Sequence, residues 1–450
     1  MGKLLLAALI LGAGFMALAR PWIGINSYYL LAILGPQYIW WWNFQGLRVS
    51  LIIALTTLLG VGFHIFKKGH YNFNFFLNPT NFWLLMLWFF ISLSYFFGPY
   101  VPRFFSSGLT PAQLFYITNT MFIFYFAATL EMNETRKLRY LVMIVVASSL
   151  YLIYWANNQY LTQQWHQFFM GRLMGPASID GGAIYKDSNA FSMFFVCTLP
   201  FIYYFGWMVK KQWLRWSLWA MIPLGWHAIF LTGSRGGLIG IGVIMLTILL
   251  LSKRKALILP LLLLFFVFYQ WQAGDIMHER SEQIVNIEGE RSASDRVTAW
   301  RGGLRMMIDQ PLTGVGLGSF VTALPDYIES RHMVAHNTLI QFAAESGLGA
   351  GVAYVMLIYF FYVQSLKIRR MSRDGDESET EQIYFFNCAA TASFTGLIVC
   401  SLFLSLNVYE IFFVLLLFNN ALYHICLNKF QPTVPPSLKK RRGQLHEKNA

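Results

Sequence analysis

The chain has 450 residues, of which 56% are hydrophobic and 12% charged, and a formal net charge of +13. That much apolar side chain cannot be hidden in one soluble core, and its recurrence in runs of about 16 to 22 residues matches the hydrocarbon thickness of a bilayer. The positive charge falls mostly in short loops between those runs, which is a topological signal and argues against nucleic acid as a partner.

In chain order, the runs predict membrane helices near 4–19, 22–39, 47–66, 82–97, 113–130, 138–155, 189–207, 214–232, 237–251, 256–271, 338–364, 383–405 and 408–427. The expected fold is an all-α polytopic membrane protein, a bundle of about 12 to 13 transmembrane helices with one large periplasmic loop that contains an amphipathic helix. The first run has only Lys3 before it and a second apolar run directly after Arg20 and Pro21, so it reads as a retained helix and not as a cleaved signal. Loops taken in alternation put Lys67, Lys68, Arg136, Lys137, Lys210, Lys211, Lys253, Arg369, Arg370 and the basic tail on one side, which is then cytoplasmic. Arg103, Arg172, Lys186, Arg235 and the stretch 273–335 fall on the other side, the periplasm or cell exterior. Thirteen crossings would put Met1 outside. A cytoplasmic start, the expectation adopted here, needs about twelve, with the first two runs forming one crossing or a partial hairpin.

These patterns divide the chain into N-terminal transmembrane helices (1–156), a Gly- and Pro-rich periplasmic loop (157–188), a membrane region with the large loop 273–335 (189–428), and a cytoplasmic basic tail (429–450) able to touch anionic lipid. Within the large loop, Val297, Trp300, Leu304 and Met307 recur every three or four residues, as on an amphipathic helix that lies on the membrane or packs against the bundle. The glycines at 314, 316 and 318 follow no strand, so they indicate a tight membrane-proximal turn and not a nucleotide loop. Cys197, Cys388, Cys400 and Cys426 all lie in apolar runs without metal-ligand spacing and read as buried thiols. His64 and His227, also in apolar runs, read as hydrogen-bonded core residues.

The residues that invite chemistry gather on the extracytoplasmic side. Arg235 opens an apolar run, where a cation beside lipid is costly and therefore usually functional. His336 sits at the mouth of another run, after a loop carrying Arg280, Arg291, Arg296, Arg301 and Arg305. Guanidiniums can stabilise negative charge on phosphate oxygens by bidentate hydrogen bonds, and a neutral imidazole can take a proton from a hydroxyl near neutral pH. Arg235 and Arg296 are the first candidates for the anion and Arg172 the next, while Arg301 or Arg305 could serve if their helix turns them inward. His336 is the candidate base. Each has a plainer alternative: Arg235 could snorkel to headgroups, and His336 could merely cap a helix with Asn337. The periplasmic aspartates are scattered, so no metal and no other cofactor is expected. A transporter would instead show paired ionisable residues or broken helices near the midplane.

An ordered set of motifs resembles the O-antigen ligase and polymerase superfamily: Gly233 to Gly237, Asp295-Arg296 to Trp300, Asp309 to Phe320, His336 to Gln341, and Glu345 to Gly349. The opening Ala19 to Gly24 and the segment Asp187 to Phe191 look more like the O-glycosylation ligase branch found beside exosortase systems. The resemblance implies a metal-independent glycosyltransferase of the GT-C type at the outer face of a bacterial inner membrane. Its implied partners are an undecaprenyl-diphosphate-linked glycan and a glycan, lipid or protein acceptor hydroxyl. On that reading Arg235, Arg296, Arg172 and Arg301 bind the donor and His336 is catalytic; joining of lipid-linked repeat units by a polymerase is the alternative.

Overall fold

A computed structural model describes residues 2–44, 49–68, 78–103, 109–177, 185, 187–252, 258–272, 291–372, 377–405 and 409–430. Asp180, Lys186, Arg280, the basic cluster at 253–255 and the basic tail read from the sequence lie outside the described residues. The apolar runs form α1 (Gly2–Ala19), α2 (Pro21–Leu34), the short α3 (Pro36–Ile39) and α4 (Trp41–Phe44), α5 (Val49–Lys68), α6 (Pro79–Phe97), α7 (Pro111–Glu131) and α8 (Thr135–Leu161). After a two-residue hairpin, β1 (Phe168–Phe169) with β2 (Arg172–Leu173), come α9 (Ser188–Met208), α10 (Gln212–Leu231), α11 (Arg235–Leu251) and α12 (Ile258–Gln272). Then follow α13 (Arg291–Asp309), α14 (Phe320–Tyr327), α15 (Thr338–Met371), α16 (Glu377–Ser401) and α17 (Glu410–Phe430).

The fold is an all-α polytopic membrane architecture: among the described residues, eight helices are long and apolar enough to cross a bilayer, and Leu6–Ala19, Arg235–Leu251 and Leu262–Trp271 are shorter apolar helices. The loop 157–188, expected to be irregular, contains the extra turn of α8 and the small hairpin. His227 Nδ1 lies 2.7 Å from Asn157 Oδ1 and His64 Nδ1 lies 3.1 Å from Glu131 Oε1, so both core histidines are hydrogen bonded.

One expectation is corrected. α1 and α2 are two separate helices. A Cβ on Gly24 would fall 2.6 Å from Ala17 Cβ, and one on Gly60 only 2.3 Å from the Ala17 carbonyl oxygen. With Gly14 set against Thr56, these approaches lay α5 parallel to α1 and fold α2 back on α1, so the first two runs form a hairpin and not one shared crossing.

Polar side chains tie the far half of the bundle together. Asn78 on the cap of α6 donates to Asn420 Oδ1 (3.1 Å), Tyr125 of α7 and Asn420 of α17 both donate to Asn81 Oδ1 (3.0 Å each), and Gln364 of α15 donates to Asn420 Oδ1 (3.2 Å). In an apolar surround such interhelical bonds fix register where hydrophobicity alone cannot, because every face is apolar.

Near the other end, α15 is kinked at Ser346 and Gly347, the latter at φ 83°. The kink exposes the carbonyls of Ala344 and Glu345, which accept from Val315 N (2.9 Å) and Gly316 N (3.0 Å). Leu348 N in turn donates to Pro311 O (2.8 Å). The glycine turn foreseen at 314–318 is therefore the clamp that seats α13 and α14 on the first turns of α15, with positive φ at all three glycines.

Candidate functional site

Three helices begin at one place, each with its own side-chain cap. Asp187 Oδ1 accepts from Asn189 N (3.0 Å) at the start of α9, Ser234 Oγ from Gly237 N (3.2 Å) at α11, and Asn337 Oδ1 from Ile340 N (3.1 Å) at α15. Helix N-termini carry unsatisfied N–H groups and partial positive charge, so their convergence favours an anion.

Arginines reinforce that field. Arg235 is the first residue of α11, and the small cavity beside it is lined by Asn189, Ser234 to Gly237, Arg296, Cys400, Phe403 and Leu404. Arg296 reaches it from α13, its guanidinium carbon 5.9 Å from the centre of the Phe403 ring. Arg172, presented by the hairpin, donates from Nε to Thr232 O (3.1 Å) and from Nη2 to Asn189 Oδ1 (3.0 Å). It thus neutralises the carbonyl end of α10 and braces the cap of α9. Burial first, and the neighbouring Arg235, disfavour its charge, and Asp187 opposes them.

His336 is half-buried just before α15, with backbone φ at 50°, a left-handed conformation uncommon for a residue with a side chain. Its neighbours hold that turn: Trp300 Nε1 donates to Ala335 O (2.9 Å) and Ala335 N donates to Gln341 Oε1 (3.3 Å). Burial and then Arg296 lower the imidazole pKa below its ordinary value, with Asp187 pulling the other way. The neutral form, which can accept a proton, is the favoured one.

The structure thus brings Arg235 and Arg296 to one cavity, sets Arg172 behind Arg235, and puts His336 within the electrostatic reach of Arg296. Arg301 is not brought in. It is exposed on α13, roughly 140° around the helix axis from Arg296. Arg305 is likewise exposed and donates to Tyr327 O (2.7 Å). α13 turns Ala299, Gly302, Gly303, Met306 and Met307 inward, whereas Val297 and Leu304, of the row read from the sequence, are exposed. Among the described residues, no group of three or more His, Cys, Asp or Glu side chains is placed to hold a metal ion.

Several supporting residues were not identified by role from the sequence. Asp187, which stood alone there, meets Arg172 and His336 electrostatically. Gln341 is the hub of a buried set: its Oε1 accepts from Ala335 N and from Ser405 Oγ (2.9 Å), and its Nε2 donates to Glu345 Oε1 (2.7 Å), which also accepts from Phe320 N (3.1 Å). Thr338 Oγ1 donates to Leu404 O (2.8 Å), so the His336 turn and the Phe403 loop share one set of anchors. From the sequence these residues were legible only as members of the motifs Asp187 to Phe191, His336 to Gln341 and Glu345 to Gly349.

The segment that builds most of this geometry has relatives. Residues 220–355 match the family model described as O-Antigen ligase. That stretch is similar to O-antigen ligases. That region spans under a third of the chain and includes Arg235, Arg296, His336, Gln341 and Glu345, while Arg172 and Asp187 precede it. Members of the family are membrane glycosyltransferase-like enzymes acting on glycans and lipid carriers. No curated protein matches the chain.

Proposed function

We propose that this O-antigen ligase-type protein transfers a glycan from undecaprenyl diphosphate to an acceptor hydroxyl at the periplasmic face of a bacterial inner membrane. The observation that carries the reading is the meeting of Arg235 and Arg296 in one cavity at capped helix N-termini, beside a half-buried imidazole kept neutral. In the reaction the acceptor oxygen attacks the anomeric carbon, the bond from that carbon to the diphosphate oxygen breaks, and the hydroxyl proton passes to His336. Charge develops on the leaving diphosphate, where Arg235, Arg296 and the N–H groups of α11 stabilise it, with Arg172 holding the frame behind. No step in this scheme uses a metal ion. The segment Asp187 to Phe191 favours an O-glycosylation ligase, with a protein hydroxyl as acceptor.

The test is a purified assay with lipid-linked donor. Arg235→Ala and Arg296→Ala should raise the donor KM, and Arg→Lys should restore little where a bidentate guanidinium is required. His336→Ala should keep donor binding and lose about 10²- to 10⁴-fold in turnover. EDTA should change neither. An active His336→Ala enzyme, or a wild type silenced by chelator, would refute the mechanism; accumulation of single lipid-linked repeat units in a deletion strain would identify a polymerase instead.

A further inference from the structure

Helix α13 has two apolar faces. Its inner face packs by small residues: a Cβ on Gly302 would come 2.3 Å from Leu324 Cδ1 and one on Gly303 2.6 Å from Ile340 Cγ2. The opposite face carries Val297, Leu304 and Ile308, which at 100° per residue fall within roughly 40° of one another, with Arg301 and Arg305 along the edge. Ile308 is 81% exposed and Leu312, just past the helix, 70%. In water this stripe would be costly.

Its surroundings say what covers it. The bond from Leu348 N to Pro311 O sets Leu312 beside Leu348, and Leu348, Val352, Val355 and Tyr359 form the exposed row of α15, which is one of the candidate spans. The exposed apolar row of α15 therefore leads through Leu312 to the exposed apolar face of α13. Two exposed guanidiniums border it at the end of the span, where phosphate headgroups lie.

We infer that α13 lies in the membrane interface, with Leu304, Ile308 and Leu312 at the acyl boundary and Arg301 and Arg305 bound to phospholipid phosphates of the leaflet on the site side. This gives the arginines that the fold turns away from the cavity a ligand of the same chemistry, and it anchors the helix that carries Arg296. The inference does not depend on the transfer reaction.

The test uses the full chain in nanodiscs with bimane on a single introduced cysteine, the native four being buried. With Ile308→Cys, lipids bearing a doxyl group near the headgroup should quench at least half as strongly as they do with Val352→Cys, and aqueous iodide should quench weakly. In an Arg301→Ala, Arg305→Ala background the doxyl quenching at Ile308 should fall at least two-fold. Full iodide quenching at Ile308 with none from doxyl lipid would overturn the interfacial placement. Unchanged quenching in the double variant would overturn the phosphate contacts.

Discussion

Gln341 offers a sharp test of whether the His336 turn is held from behind. Gln341→Met keeps the length of the side chain and removes both hydrogen-bonding atoms. The buried Ala335 N–H is then orphaned, and Glu345 loses one donor while keeping that from Phe320 N. Ser405 can rotate to another partner. An orphaned buried group costs roughly 1–3 kcal/mol, so the variant should lose about that much from the packed arrangement around α15. If about 2 kcal/mol of that appears as displacement of the imidazole, kcat falls roughly 30-fold, since about 1.4 kcal/mol is a factor of ten. Donor KM should stay near wild type, because Arg235 and Arg296 are anchored elsewhere. Diethylpyrocarbonate, followed by mass spectrometry of the His336 peptide, should modify the variant faster than wild type, a readout that does not require turnover. A folded Gln341→Met protein with wild-type kcat and wild-type His336 reactivity would show that the turn needs no such support.

Two further outcomes follow from charge. Burial and Arg296 lower the His336 pKa, so activity requiring the neutral ring should persist below the ordinary histidine value of about 6.5 before its acidic limb; Arg296→Gln removes one of the two causes and should move that limb of kcat/KM to higher pH, and an unmoved or lowered limb would break the link. The sign for stability is the same: the unfolded chain binds the proton more readily, so stability from this group is lost as pH falls from about 6.5 through the folded pKa. For topology, an impermeant thiol reagent added to intact spheroplasts should label Glu329→Cys and not Lys210→Cys; both residues are exposed, at opposite ends of the bundle, and equal labelling would remove the outward-facing site.

The helices were legible because each apolar run is bounded by residues with a mechanical role. Pro79 and Pro111 open helices at positions where a missing N–H costs nothing, and Asn78, Ser234 and Asn337 are caps in type and place. The kink in α15 falls at Ser346 and Gly347, inside the Glu345 to Gly349 motif, but its clamp was not legible, since the groups that donate to the released carbonyls, Val315 N and Gly316 N, come some thirty residues earlier. For α13 the periodicity left two placements open, on the membrane or against the bundle. It weights large side chains and selected Val297 and Leu304, which are exposed, with Met307, which is buried, but the close contact is made by Gly302 and Gly303, which carry no hydrophobic signal at all. Arg235 and His336 stood out because polar groups at the mouth of a membrane run are expensive. Asp187 and Gln341 were legible only as members of motifs, since their roles come from what the folded chain puts next to them.

The arrangement also constrains how the two halves of the proposed chemistry depend on each other. A site that gathers positive charge for a diphosphate depresses the basicity of any imidazole nearby, and Arg296 does this to His336. The weakened base is offset by the availability of its unprotonated form, and Asp187, on the cap of α9, limits how far the pKa can fall. Asp187 is coupled to Arg172 as well, so one carboxylate moderates both the cationic frame and the base. Bound diphosphate would add negative charge to the same field and raise the imidazole pKa, making it a stronger base when donor is present than when the cavity is empty. Proton abstraction from an acceptor, or from water, would then be favoured only after the donor has arrived, a coupling that follows from placing the base within reach of the anion's own field.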